Sequence, residues 1–232
     1  MDLMDRITLF SQLDFIALGV LVTGWLIIGY FVENPPDSHP SVSCLMARYR
    51  RDWMTTMVTR DPRIFDAQTL MNLRQGTSFF ASATMIALGG GLALLGNTDQ
   101  LMGLASDLTI DQEPEIVWEI KLMLLLAFLG NAFFKFVWAS RLFGYCAVIM
   151  AAVPNDPADP EAVPMAMRAA EINITGARSF NRGLRAIYFG LASAAWLLGA
   201  GVLIGAALFT CLVVFRREFA SRSRKVLLNG VT

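Results

Sequence analysis

The sequence predicts an all-α integral membrane protein: four transmembrane helices, with amphipathic cytoplasmic helices between spans 1 and 2 and between spans 3 and 4. Three observations predict it. First, 55% of the residues are hydrophobic and 16% charged, with a mean hydropathy of +0.52; a soluble domain is nearer a quarter charged. Second, the apolar residues cluster into runs over Phe15–Val32, Phe79–Leu95, Val117–Val153 and Ala186–Phe215. A helix needs about 20 such residues to cross a bilayer core. Third, the runs are continuous, whereas the strands of a membrane barrel alternate. The expected spans are about 15–32, 77–96, 117–141 (continuing as helix to about 153) and 186–215, within one membrane domain over 1–232.

The first run is too long for a secretory signal and follows Asp2, Asp5 and Asp14 with a lone Arg6. A cleaved signal has a basic leader and a small-residue cleavage site, so this run is expected to remain as an anchor. Between spans 1 and 2, Leu45, Tyr49, Trp53 and Met57 recur every four residues while Arg48, Arg51 and Asp52 lie off the stripe. That pattern predicts an amphipathic helix over Cys44–Val58. Asp61-Pro62 reads as an N-cap with proline at the first helical position. A helix from Arg63 should then run unbroken into span 2.

Span 3 is longer than the bilayer requires. Trp118 and Trp138 stand twenty residues apart, about 30 Å of helix, and match aromatic belts at the two interfaces. The apolar run continues through Leu142, Phe143, Tyr145, Val148, Ile149 and Met150, which require cover from the first-loop helices. Beyond it, Pro154, Pro157, Pro160 and Pro164 mark an irregular turn. Met165–Ile174 reads as helix, and Gly176 and Gly183 as interruptions before span 4.

Loop charge sets the orientation. The first connection carries Arg48, Arg50, Arg51, Arg60, Arg63 and Arg74, and the third carries Arg168, Arg178, Arg182 and Arg185. Asn97–Ile116 has no Lys or Arg but holds Asp99, Asp107, Asp111, Glu113 and Glu115. The positive-inside rule puts the Arg-rich loops in the cytoplasm of a bacterial inner membrane and both termini in the periplasm. Against this, the tail carries Arg216, Arg217, Arg222, Arg224 and Lys225; with Arg6 that makes six basic residues outside against ten inside.

At Arg50-Arg51-Asp52-Trp53, and again at Ala67-Gln68-Thr69-Leu70 with Asn72, the chain resembles the bacterial and plant multi-pass membrane proteins catalogued as domain of unknown function 599. Lys121 and Arg141 match basic positions of that family's third span. Asn181-Arg182, leading into Trp196-Leu197-Leu198-Gly199, matches its last. The likeness covers nearly the whole chain; Lys135 and the basic tail depart from it. It implies four spans and no reaction.

Candidate polar or lipid contacts follow. Lys121 and Lys135 each lie three residues inside a tryptophan, about 4.5 Å of helix, so each reads as a snorkelling anchor. The alternative is a residue lining an ion or substrate path. Arg141 falls beyond the inner belt. Asn131 shares a face with Lys135 and reads as an interhelical hydrogen-bonding group or as part of a polar crevice. Gln68 and Asn72, with Thr69 between them, make interhelical bonds or hold a headgroup. Arg48, Arg50 and Arg51 attract anionic lipid or form a solvated face. Small residues at Ala83, Ala87 and Gly91, and at Gly201 and Gly205, predict close helix packing within the chain or between copies.

Zero net charge gives no field for nucleic acid. Cys44, Cys146 and Cys211 fit neither a disulfide framework nor a metal motif. His39 is the sole histidine, against sites built on several imidazoles. No catalytic, dinucleotide or phosphate-loop motif is present, and Gly89-Gly90-Gly91 lacks the spacing of one. The acidic loop does not have the calcium-loop spacing. Asn173-Ile174-Thr175 forms a glycosylation sequon on an expected cytoplasmic segment. The expectation is therefore a non-enzymatic structural, accessory or self-assembling inner-membrane component without cofactors. Its expected partners are membrane lipids, including anionic headgroups, and further copies or a larger complex. The alternative is an oligomeric channel or transporter for a small ion or solute, with a membrane enzyme third.

Overall fold

A computed structural model describes residues 9–97, Gly103 and 114–229. Arg6, Asp2, Asp5, Ser106 and the loop carboxylates Asp99, Asp107, Asp111 and Glu113 lie outside them. Among the described residues there are helices and no strand. In order these are α1 Gln12–Glu33, α2 Val42–Met57, α3 Ile64–Leu95, α4 Glu115–Ala152, α5 Ala162–Ala194, a 3-10 turn at Ala195–Leu198, α6 Ala200–Phe219 and α7 Arg222–Asn229. Four stretches are long and apolar enough to cross a membrane: α1, α3, α4 and Ala200–Leu228.

Local chemistry explains where the helices begin. Ser11 and Asp14 form a reciprocal cap on α1: Ser11 donates its N–H (2.9 Å) and hydroxyl (2.7 Å) to Asp14 Oδ2, while Ser11 Oγ accepts from the Asp14 N–H. Such pairing satisfies donors that a helix start leaves open. Pro35 and Pro36 follow α1, and Ser41 caps α2 by accepting from the Cys44 N–H. The fully buried Ser41 hydroxyl also donates to the Val32 carbonyl at 2.8 Å. Asp61 and Pro62 do not start a helix. They lie in the turn, and α3 begins at Ile64 with Asp66 as the acid of its first turn.

The largest difference from the sequence expectation is at the fourth span. Ala186–Phe215 is two helical pieces: α5 tightens into the 3-10 turn, and Gly199 takes φ 118° before α6 begins. Only glycine adopts that backbone without steric cost. The turn is made of apolar residues around Trp196, which is 1% exposed, so a hydropathy run passes through it undetected.

The described helices divide into two compact units. The first comprises Met1–Phe31, Ala83–Ala132 and Leu184–Arg216; the second comprises Val32–Ser82, Phe133–Gly183 and Arg217–Thr232. In the first, Trp118, Leu122 and Leu126 pack with Leu88, Leu125 and Leu197. Helices approach closely where side chains are absent: Gly24 faces Cys211 and Phe189, Gly91 faces Leu126, and Gly190 faces Phe128. Its outward side chains are large and apolar, including Ile27, Ile86, Leu92, Leu208 and Phe209, as a lipid-facing surface requires. Gly201 and Gly205 meet nothing within 4 Å, and Ala83 and Ala87 are exposed. Of these small-residue faces, only Gly91 makes a close approach within the chain among the described residues.

In the second unit one face of the α4 extension is covered, while Tyr145 and Val148 of the same apolar run stay exposed. Phe143, Cys146, Met150 and Val153 pack with Met54, Met57 and Val58 from α2 and its C-terminal end. The cover is shared with α5, whose Ala162, Ala166, Ala169 and Ala170 are fully buried. These alanines recur at helical spacing, one face of a helix. Tyr49 is exposed and Met54 fully buried, so the inward face of α2 is rotated from the expected stripe. Gly176 and Gly183 do not interrupt α5. A Cβ at Gly183 would stand 2.6 Å from the Phe136 ring, and one at Gly176 would stand 3.0 Å from Phe143. Both glycines are sites of close packing.

Candidate functional site

Within the second unit, a cavity of about 350 Å³ opens among α2, α3, α4, α5 and the end of α6. Its polar wall is Ser43 and Arg50 from α2, Asn72 and Thr77 from α3, Arg178 and Asn181 from α5, and Arg217 and Glu218 from α6. Met46, Leu73, Phe143, Ile174 and Phe180 supply apolar surface.

Each polar group has a structural reason for its place. The Ser41 cap fixes the first turn of α2, where Ser43 donates both its N–H and its hydroxyl to Glu218 Oε2, each at 3.0 Å. Asn181 Nδ2 donates to Ser43 Oγ at 3.4 Å. The tail is pinned beside them: Arg224 Nε donates to the Pro40 carbonyl at 2.9 Å, and Tyr49 Oη to that of Leu227 at 3.4 Å. Arg50 donates to Asn173 Oδ1, and the fully buried Asn173 donates to Cys146 Sγ at 3.6 Å. Burial lowers the pKa of the Arg50 guanidinium, but arginine starts so high that it stays charged. Arg178 is exposed and makes no hydrogen bond or ion pair among the described residues. Three guanidiniums against one carboxylate leave the lining net cationic.

Three segments that carry the family likeness meet here. Arg50, Asn72 and Asn181 come from three different motifs and line one cavity. Two of their neighbours brace the unit instead. Arg51 holds Glu171 through two nitrogens at 2.6 and 3.3 Å, and the hydrogen bond with Glu171 raises its pKa. Arg182 chelates Glu33. Elsewhere in the unit, fully buried Asp66 accepts from Trp53 Nε1 at 2.7 Å and from Arg60. Arg63 donates to the carbonyls of Val153 (2.8 Å) and Pro154 (2.6 Å). A second, more apolar cavity of about 420 Å³ lies along Arg63, Leu70, Met71, Arg74 and Met150, and Phe143 walls both cavities.

The remaining candidates are dispersed. Arg48 is exposed, and Gln68 Nε2 donates to Asn72 Oδ1 at 3.4 Å. Arg141 Nε donates to Tyr145 Oη at 2.6 Å and its guanidinium lies over that ring. Asn131 falls in the first unit and Lys135 in the second; each is half-buried, and the Lys135 carbonyl accepts from Ser179 at 2.8 Å. Lys121 is packed against the protein. It is 3% exposed, with its ammonium 5.3 Å from the Trp118 ring centroid and 5.9 Å from that of Trp196. The turn before Gly199 brings Trp196 there, and Trp196 Nε1 donates to Asp14 Oδ1 at 2.7 Å. Spacing from Trp118 alone gives no sign of that second ring.

Sequence reasoning missed Ser43, Thr77, Arg178, Asn181, Arg217 and Glu218 as members of one site. The signal available was the basic tail, whose charge conflicted with the side of the membrane expected for it. Among the described residues, no group of three or more His, Cys, Asp or Glu is placed to hold a metal.

Residues 16–223 match the family described as "Protein of unknown function, DUF599", and the chain belongs to it. No curated protein and no solved structure matches.

Proposed function

We propose that this member of a family of unknown function is a non-enzymatic, multi-pass component of a bacterial inner membrane. Its second unit, with the C-terminal tail, faces the cytoplasm and meets anionic lipid, in a structural, accessory or self-assembling role. The observation that carries the reading is the distribution of charge. Of the chain's 19 lysines and arginines, all but Arg6, Lys121, Arg185 and Arg216 belong to the stretches of the second unit. Basic residues near span ends are retained in the cytoplasm, and about 1 kcal/mol per charge draws them to an anionic leaflet.

The tail supports this orientation once α7 is seated on α2. Its charges then add to those of the Arg-rich loops instead of opposing them. Following the chain, the units alternate three times from first to second, ending in the second. Leu184–Arg216 enters the first unit, turns at Gly199 and leaves it again, a hairpin instead of a single crossing, so an N-terminus on its expected periplasmic side goes with a C-terminus in the cytoplasm. The open faces at Gly201 and Gly205 suit contact between copies, since small residues let helix backbones approach.

A fluorescent protein that matures only in the cytoplasm, fused after Thr232, is expected to fluoresce; alkaline phosphatase at the same point is expected to be inactive. The reverse pair of results would overturn the orientation and with it the cytoplasmic role of the second unit.

A further inference from the structure

We propose that the cavity walled by Arg50, Asn72, Arg178, Asn181, Arg217 and Glu218 is a binding site for a phosphate monoester attached to an apolar group. The inference deepens the reading above by naming the ligand of the basic unit, and rests on it only for the side of the membrane from which the ligand arrives.

Four features point to that chemistry. The first is charge: three guanidiniums and one carboxylate leave about two positive charges, which a phosphate monoester near neutral pH complements. The second is spare donor capacity. Arg50 gives one nitrogen to Asn173, and a guanidinium carries five N–H donors in a planar fork that matches phosphate oxygens. Arg178 has no partner among the described residues, and the side-chain amides of Asn72 and Asn181 line the same space. The third is the fixed carboxylate. Glu218 is occupied by two donors from Ser43, which holds its charge against α2. The fourth is the wall. Phe143, Phe180, Ile174 and Leu73 add contact for hydrocarbon beside the phosphate, so such a ligand binds there more tightly than inorganic phosphate, which still meets the guanidiniums. A volume of about 350 Å³ takes a headgroup and the start of its chains, or a small organic phosphate.

Two sources share this chemistry, the monoester headgroup of phosphatidic acid and a soluble organic phosphate, and the experiment separates them. The full chain, extracted in detergent, is offered phosphatidic acid and phosphatidylcholine in equal amounts, and retained lipid is read by native mass spectrometry. In parallel, thermal unfolding is followed with inorganic phosphate or acetate at matched ionic strength. Wild type is expected to retain phosphatidic acid in preference. Arg178→Gln is expected to lose about tenfold in retention, the scale of one charge-assisted hydrogen bond, without a change in its ligand-free melting temperature. Asn72→Leu, exposed on α3, should weaken retention in the same direction. Indiscriminate lipid retention, with stabilisation by phosphate that Arg178→Gln abolishes, would assign the site to a soluble phosphate compound. Equal retention of both lipids without a phosphate effect would overturn the proposal, and so would equal stabilisation by acetate or wild-type behaviour in both variants. These measurements are independent of orientation, so a reversed reporter result and an empty cavity are distinguishable failures.

Discussion

The two units solve the same packing problem with different materials. In the first, glycines at 24, 91 and 190 admit cysteine, leucine and phenylalanine side chains. One polar cluster forms where Asp14, Lys121 and Trp196 meet, and Thr84, Arg185 and Ser193 are buried elsewhere in the unit. In the second, the ion pairs Arg51–Glu171, Arg60–Asp66 and Arg182–Glu33 tie together segments as distant as 149 residues. The apolar core of that unit is only part of what fixes it. A side chain in contact with lipid gains little from charge because nothing there hydrates it, whereas one reached by water can serve as a long polar tie. The contrast has consequences for mutation.

The largest effect is expected at Asp66. Removing it leaves the Trp53 N–H without its acceptor and unties the partly exposed Arg60, so Asp66→Ala should cost about 2–3 kcal/mol, seen as a clear fall in melting temperature in detergent. A matched change in the first unit, Leu208→Ala on an exposed face, should cost under about 0.5 kcal/mol. Similar losses in both would erase the contrast.

Glycines sharpen it next. Gly183→Ala drives a methyl into the Phe136 ring and is expected to destabilise by about 1–3 kcal/mol. Gly201→Ala meets open space in α6 and should be neutral or stabilising by up to about 1 kcal/mol, since alanine is the better helix former. A loss of stability at Gly201 on dilution below an oligomer's dissociation range, absent in wild type, would show that copies pack there.

The smallest effect belongs to the surface. Arg51 and Glu171 are 39% and 54% exposed, so Arg51→Ala should cost at most about 1 kcal/mol, and less at high salt. A larger, salt-insensitive loss would mean that this pair is shielded from water in the membrane-bound protein.

How much of this was legible in the sequence follows the same division. Hydropathy gives α1, α3 and α4 because a continuous apolar run is local information, and the four-residue stripe finds α2. The overlong α4 predicts that something covers Phe143 and Met150, as α2 and α5 do. What is missed is tertiary or glycine-dependent. Gly199 turns the chain inside an apolar run. Gly176 and Gly183 read as breaks, when their role is to admit Phe143 and Phe136. No local spacing signals that Trp196 comes over Lys121. Arg50, Asn72 and Asn181 each stand out within a motif, yet no local pattern shows three helices converging on one cavity. The basic tail was the one sequence feature in conflict with its expected place, and it belongs to the unit that holds that cavity.

The cytoplasmic placement of the second unit is tested most directly by cysteine labelling of the intact cell. In a background without Cys44, Cys146 and Cys211, cysteine is placed at Ser223 in the tail or at Ser106 in the acidic loop. An impermeant maleimide is then applied before and after the inner membrane is opened. Ser223→Cys is expected to react only after opening, and Ser106→Cys in intact cells. Labelling of Ser223→Cys in intact cells would contradict the account, because the tail and the cavity it helps wall would then face the periplasm.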